Sequence, residues 1–380
     1  MKHKPRLLVF ENNPAYFLSH RLVLAKTLAG LGYDIHVATM PGTAAKEIQA
    51  AGFTHHAIKF SRSGINPIGE FLVLLRVIRL YARVKPDLVY QITVKPVIYG
   101  SLAARYTRVP AVVSVISGLG FVATGSGRMT FFLRSAVFLL YRFALRHARQ
   151  CIIFHNHNDQ EVFIKRGITA RGKTQVMPGS GVDIQYFTPS PEIPGTPVVL
   201  LPARMLRDKG IYEFVAAAAR LRISGVQARF LLAGSLDPDN PGAIPETLLQ
   251  QWNSEKNVEW LGQVTDMHGL YSNSHVVCLP SYREGIPRVL LEAAACGRPV
   301  ITTDVPGCRD AIQAGETGLL VPARDVEKLA VALKRLIDDP GLRVRMGRQG
   351  RRLAEKRFSA ARVTADTVAV IQELAERIPS

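Results

Sequence analysis

The feature that most constrains this chain is an alternation, along its whole length, of short aliphatic runs with helix-length segments. RLLVFEN opens it, a helical stretch near Leu18 to Leu31 follows, and DIHVATM, PDLVYQIT, AVVSVIS and QCIIFHN continue it. Each run is continuous in Val, Ile and Leu, the pattern of a strand covered on both faces by helices. Such a chain folds as a parallel sheet built from βαβ units. After PGSGVDIQYFTPSPEIPGTP, too dense in Pro and Gly for regular structure, the alternation restarts with VVLLPAR, ARFLLAG, VEWLGQ, HVVCLPS, PVITTDV and GLLVPAR. A length of 380 residues also favours two domains over one core. The expected fold is α/β, with Rossmann-like domains at residues 1–180 and 198–358 joined by a linker at 181–197. Open sheets of this kind bind ligands beyond the C-terminal ends of their strands, so the two domains are expected to face each other across a cleft lined by residues that follow strands.

Charge divides unevenly along the chain. The net +18 arises from 24 Lys and Arg against 8 Asp and Glu in residues 1–190, and 24 against 22 in the remainder. The first half therefore meets something anionic: nucleic acid, an anionic lipid surface or a phosphorylated substrate. The four cysteines, Cys151, Cys278, Cys296 and Cys308, form no C-x-x-C pair, which points to neither a zinc site nor a disulfide framework and fits a reducing cytoplasm. No apolar stretch approaches the roughly 20 residues that cross a bilayer, and the opening MKHKPRLLVFENNP turns polar too early for a secretory signal.

Chemistry-bearing residues of the second half follow its strands. HVVCLPS runs into Tyr282-Arg283-Glu284-Gly285-Ile286-Pro287 and then the helix RVLLEAAACG, which carries Glu292. Pro287 is expected in the first helical turn, where its missing N–H is no loss. The free N–H groups of such a helix N-terminus suit a phosphate. VVLLPAR runs into Arg204-Met205-Leu206-Arg207-Asp208-Lys209-Gly210, so Arg204 and Lys209 stand at a second strand-to-helix turn, placed to hold a diphosphate and stabilise a departing nucleoside diphosphate. The single D-x-D, Asp237-Pro238-Asp239, lies in a Pro-rich loop and reads as a turn rather than a metal site.

Taken together, ARMLRDKG, LGQVTD, LPSYREGIPRVLLEAAACGRPVITTDVPG and GETGLLVPARD resemble, in order and spacing, the family-4 retaining glycosyltransferases of the GT-B fold. The resemblance implies that Arg204 and Lys209 bind the donor diphosphate and Glu284 the donor sugar. It further implies that Glu292 contacts the ribose, that Gly285, Ile286 and Pro287 line the donor site, and that Gly262 to Val264 hold the nucleobase through backbone groups. It also implies that a final helix within 359–380 crosses back onto the first domain. No metal and no cofactor are expected, a UDP-sugar serving as co-substrate.

In the first half, the Phe17–Arg21 stretch, Ser61–Pro67, Lys95–Gly100 and Ser117-Gly118-Leu119-Gly120 resemble the subgroup acting on polyprenyl-diphosphate-linked sugars, whose known example adds α-1,3-linked N-acetylgalactosamine to undecaprenyl-diphosphate-linked bacillosamine. His20, Arg62, Lys95, Gly118 and Gly120 are the acceptor-site candidates that follow. Two departures stand out. Where many members carry a histidine, this chain has Ser117-Gly118-Leu119-Gly120, and Asn12-Asn13-Pro14-Ala15 replaces a common glycine pair.

Finally, in the segment 128–149 the residues Arg128, Arg134, Arg142, Arg146 and Arg149 fall within one third of a helix circumference, with most of the Phe, Leu and Val opposite. This is the pattern of a basic amphipathic helix that lies on anionic lipid. A second basic run, Arg343 to Arg357, reads as a solvated helix face. The function expected is transfer of an N-acetylhexosamine, with N-acetylgalactosamine favoured, from a UDP-sugar to a polyprenyl-diphosphate-linked saccharide at the inner face of the plasma membrane. A UDP-sugar epimerase of the same fold is the enzymatic alternative, and a nonenzymatic nucleic-acid binder the other; no nucleic-acid motif supports the latter.

Overall fold

The computed structural model describes residues 4–60, 66–119 and 128–377, the side chains of 128–131 excepted. The chain divides into two compact units, Met1–Ser180 with Arg362–Ser380, and Gly181–Ala361.

The first unit is a parallel sheet of order β3-β2-β1-β4-β5-β6-β7. Its strands are β1 (Arg6–Phe10), β2 (Asp34–Thr39), β3 (Thr54–Ala57), β4 (Leu88–Ile92), β5 (Ala111–Ile116), β6 (Gln150–Phe154) and β7 (Thr174–Val176). Leu7 pairs with Ile35 on one side and Leu88 on the other, so the aliphatic runs form the middle of the sheet. The two strands that the aliphatic signal misses, THHA and TQV, are the edges, short and incompletely buried. The expected helix near Leu18 to Leu31 is two helices, Pro14–His20 and Leu22–Gly30, broken at Arg21, whose φ of −125° and ψ of −9° leave the helical region. The closing helix Ala360–Glu376 buries Val368, Val370, Ile371 and Leu374 in the core of this unit, and Thr367 donates to Met177 Sδ. Burial of each large aliphatic side chain contributes roughly 1.5–3 kcal/mol, enough to hold a helix from the far end of the chain.

The second unit is a parallel sheet of order β10-β9-β8-β11-β12-β13. Its strands are β8 (Val198–Pro202), β9 (Arg229–Ala233), β10 (Glu259–Trp260), β11 (Val276–Leu279), β12 (Val300–Thr303) and β13 (Gly318–Val321). The strand order reverses between β8 and β11, which pair directly. In the first sheet the equivalent reversal lies between β1 and β4. Loops leaving the two strands on either side of such a point splay apart and leave room for a ligand.

Two sequence expectations need correction. Residues 181–197 are not a free linker but part of the second unit, with Val182 and Phe187 in its core. The reason lies in the basic run Arg343 to Arg357, which is not a wholly solvated face. Arg343, only 4% exposed, forks onto both oxygens of Glu192 at 2.9 and 2.8 Å, and Arg351 donates to the carbonyls of Ile184, Phe187 and Ala295. Arg351 thus satisfies carbonyls of a segment that forms no ladder, and Arg343 anchors it through an ion pair. The basic helix also differs from its expected form: it runs Arg128–Ala144 and ends before Arg146 and Arg149. Phe138, Tyr141 and Ala144 face the core, whereas Phe132, Leu139, Leu140 and Phe143 are exposed together with Arg142. The apolar residues are thus shared between core and surface, not confined to the side opposite the arginines.

Candidate functional site

The best-defined polar constellation of the second unit lies at the reversal between β8 and β11. After β8 the chain turns through Arg204, a single turn of tight helix at Arg207–Lys209, and Gly210, whose φ of 73° starts the helix Ile211–Ile223. After β11 it runs through Ser281 to Glu284. The neighbouring strands bring the two loops together: Lys209 Nζ donates to Glu284 Oε1 at 2.6 Å, and Ser281 Oγ donates to the same oxygen at 2.8 Å. Gly307 is required here. At its φ of 81° a Cβ would run into the carbonyl oxygens of Glu284 and Gly285, so the Glu284 loop packs directly on Gly307 backbone.

The Lys209 and Glu284 side chains are 15% and 17% exposed. Burial pulls the Lys209 ammonium down, but the charges of Glu284 and Asp208 and the Glu284 hydrogen bond outweigh it and leave the pKa above its ordinary value. Lys209 is therefore a permanent cation at neutral pH. Arg204 pairs through Nη1 with Asp237 Oδ2, which leaves its remaining donors for a ligand. Asp237 is a residue whose role the sequence concealed. Its backbone does form the expected turn, Asn240 N donating to Asp237 O at 2.9 Å, while its carboxylate supports Arg204.

Glu292 is neither a surface residue nor fully open to a ligand. It is 7% exposed, its Oε1 lies 2.8 Å from Arg288 Nε, and Tyr271 Oη donates to its Oε2 at 3.0 Å. Burial pushes the Glu292 carboxyl above the usual range, against the opposing pull of Arg288 and the Tyr271 hydroxyl. Pro287 is the N-cap residue of the helix Arg288–Ala295, not a member of its first turn, because its ψ of 109° is extended; no side chain caps this terminus. Ile286 packs against the core, as does Val264, while Gly285 lies half-buried in the Glu284 loop. Gly262, at φ 67°, accepts from Gly234 N at 2.7 Å, which ties its loop to the end of β9.

The first-unit candidates are dispersed. His20 ends its helix with Nδ1 2.7 Å from Ser19 Oγ. Lys95 lies in the first turn of the helix Val94–Tyr106 and donates to Glu70 Oε1 at 2.7 Å. Tyr99 donates to the other Glu70 oxygen, and burial followed by that bond pushes the Tyr99 hydroxyl up. Gly118 follows β5 with a φ of 136°. Arg62 and Gly120 lie outside the described residues. Among the described residues no group of three or more His, Cys, Asp or Glu is arranged to hold a metal ion, and no helix is long and apolar enough to cross a membrane. Asp237 and Tyr271 had no sequence signal beyond the D-x-D, since their partners lie 33 and 21 residues away on other elements, and Ser281 was one serine in a loop.

Comparison with known proteins fits this layout. A model described as glycosyl transferase 4-like matches residues 6–156, and the glycosyl transferases group 1 model matches residues 184–353. The chain is 27% identical over 356 residues to the N,N'-diacetylbacillosaminyl-diphospho-undecaprenol alpha-1,3-N-acetylgalactosaminyltransferase of Campylobacter jejuni, covering 87% of this chain and 91% of the relative. It is also 27% identical to a UDP-Gal:alpha-D-GlcNAc-diphosphoundecaprenol alpha-1,3-galactosyltransferase of Escherichia coli, over 74% of each chain. Among solved structures, Anabaena HepE in complex with UDP superposes with a TM-score of 0.80 at 19% identity, covering 98% of this chain and 100% of that one.

Proposed function

Because the chain belongs to the glycosyltransferases of the GT-B fold, we propose that it moves an N-acetylhexosamine, with N-acetylgalactosamine favoured, from a UDP-sugar to a polyprenyl-diphosphate-linked saccharide during surface-glycan or glycoprotein-glycan assembly. The observation that carries the reading is the junction of Lys209, Glu284 and Arg204 at the reversal between β8 and β11. Two cations match the charge of a departing nucleoside diphosphate, and the Glu284 carboxylate beside Lys209 matches sugar hydroxyls. The C. jejuni and E. coli relatives are named for acceptors linked to undecaprenol through diphosphate, which supports the acceptor class.

In the proposed reaction the acceptor hydroxyl approaches the anomeric carbon on the face from which UDP departs, so the configuration is retained. As the anomeric C–O bond to phosphate breaks, its electron pair goes to the β-phosphate, and that phosphate takes the acceptor proton. Arg204, Lys209 and the N–H groups at Arg288 stabilise the charge that grows on UDP, while Glu284 holds the donor sugar and keeps Lys209 in place. Glu292, already engaged by Tyr271 and Arg288, meets the ribose through what remains of its acceptor capacity. Gly262 and Val264 hold the base, and His20, Arg62, Lys95, Gly118 and Gly120 serve the acceptor. No metal and no cofactor enter this scheme, and nucleic acid is not a partner.

We also propose that the first unit rests on the anionic inner face of the plasma membrane. Phe132, Leu139, Leu140 and Phe143 lie exposed on one helix with Arg142, and the adjacent helix adds exposed Tyr106 and Arg105, whose Nη1 donates to the Phe143 carbonyl at 2.7 Å. No acidic residue occurs between Asp87 and Asp159. A surface of this kind suits interfacial insertion beside anionic headgroups.

The test is UDP release from a panel of UDP-sugars with and without undecaprenyl-diphosphate-linked monosaccharide, with mass analysis of the lipid. Release that depends on the lipid, with one hexosamine added, is expected. Interconversion of the UDP-sugar without an acceptor would replace this reading with the epimerase.

A further inference from the structure

The first unit carries a second polar constellation, at the reversal between β1 and β4, that the donor chemistry does not use. The chain leaves β1 as Glu11-Asn12, β4 as Thr93, β5 as Ser117-Gly118 and β6 as His155, while Arg21 stands at the break between two helices. Arg21 is 6% exposed, its guanidinium 5.9 Å from the centre of the Tyr90 ring in β4, and its buried Nε has no hydrogen-bond partner among the described residues. His155 is 8% exposed, and its Nε2 is buried in the same condition, as are Asn12 Oδ1 and Thr93 Oγ1. Native interiors pair nearly all buried polar atoms, so four lapses on the C-terminal side of one sheet mark a place that a ligand completes.

Backbone conformation agrees. Thr93 is held at φ 75° and ψ 170°, a region that non-glycine residues occupy almost solely where surrounding structure enforces it, commonly at ligand sites. It heads the 13-residue helix Val94–Tyr106 without a side-chain cap. Charge is arranged to match. Glu11, 4% exposed, accepts from Asn12 N at 2.9 Å; burial pushes its carboxyl to about 7, against the pull of Arg21 and that N–H. Burial, with the positive charges of Arg21 and His20, holds His155 down at about 3, opposed by its backbone interaction with Ser117. His155 is therefore neutral across the physiological range.

We infer that Arg21 binds a phosphate of the acceptor, that Asn12, Thr93 and the unprotonated Nε2 of His155 accept from hydroxyls of its first sugar, and that Glu11 is the resident counter-charge of Arg21. Unpaired donors meet phosphate oxygens and unpaired acceptors meet hydroxyls, which makes a sugar phosphate the ligand class. This assignment rests on the reading that the acceptor is a diphosphate-linked saccharide.

Calorimetric titration with N-acetylglucosamine 1-phosphate tests it, at pH 8 and with UDP at saturation to occupy the second unit. The wild-type protein is expected to bind one equivalent. Arg21→Gln weakens binding at least about tenfold, the scale of a lost charge-assisted hydrogen bond, with Arg21→Lys between the two. Glu11→Gln tightens it several-fold, a change that misfolding does not produce. UDP affinity is unchanged throughout. Absence of binding to wild type, wild-type affinity in both Arg21→Gln and His155→Ala, or weakening by Glu11→Gln equal to that of Arg21→Gln overturns the site. Transfer to a lipid acceptor whose KM ignores Arg21→Gln sinks this inference and leaves the proposed function standing. Sugar-phosphate binding through Arg21 without transfer to any lipid does the reverse.

Discussion

Removing both members of the Lys209–Glu284 pair should cost less than the sum of removing each alone. At 2.6 Å and an effective dielectric near 20, their attraction has a ceiling of about 6 kcal/mol, from which desolvation of both charges must be subtracted. Both side chains are largely but not fully buried, so truncation of one partner falls at or just below the usual cost of about 3–5 kcal/mol for breaking a buried pair. Lys209→Met strands Glu284 with Ser281 as its one remaining side-chain donor among the described residues and should cost about 3 kcal/mol. Glu284→Gln leaves Lys209 near Asp208, 3.9 Å away, and should cost about 2 kcal/mol. The double variant should cost about 3 kcal/mol rather than the sum, a coupling of about 2 kcal/mol. The readout is available in the sequence: both tryptophans, Trp252 and Trp260, lie in the second unit, so fluorescence-monitored urea unfolding follows that unit selectively. Single-variant costs that add to within about 0.5 kcal/mol would show that the two charges do not sense each other, and the account of Lys209 as a cation held by Glu284 would be abandoned.

Glu11 makes stability depend on pH. Its folded pKa of about 7 lies above the ordinary 4.5, so the native state holds its proton more tightly; the contribution is complete below pH 4.5 and lost as pH rises through 7, about 3 kcal/mol in all. Unfolding of Glu11→Gln, followed by circular dichroism from pH 4 to 8, should lack this decline, and an identical decline would refute the assignment. Gly307→Ala should destabilise the second unit by more than about 2 kcal/mol and depress UDP release from the donor, because its Cβ meets the carbonyls that shape the Glu284 loop; a neutral effect on both would show the loop to be freely adjustable. Tyr271→Phe removes a donor from a buried carboxylate and should cost about 1–3 kcal/mol by tryptophan fluorescence, with wild-type stability as the contrary result. Phe132→Glu with Phe143→Glu should abolish cosedimentation with phosphatidylglycerol vesicles while UDP affinity is kept; undiminished sedimentation would remove this helix from the membrane surface.

Much of this molecule is decided within short stretches of chain. Runs such as LLVF, LVYQI and VVLLP are aliphatic on both faces, and no arrangement but an interior parallel strand buries them, so the two sheets and the loops that follow β8 and β11 are legible from the residues alone. Arg204, Lys209 and Glu284 were found for the same reason, since a parallel sheet places whatever follows its strands along one edge. THHA and TQV escaped because edge strands need not be aliphatic. The rest depends on partners distant in sequence. Arg343 looks like one cation in a solvated run until Glu192, 151 residues away, meets it and draws the Pro-rich segment onto the second unit. Glu292 looks exposed on its helix until Tyr271 and Arg288 enclose it. Glu11, Arg21 and His155 carry no shared motif; only the order of β1, β4, β5 and β6 in one sheet gathers them. Periodicity records which faces a segment must bury, whereas charge, burial and unpaired atoms are properties of neighbours that tertiary packing alone supplies.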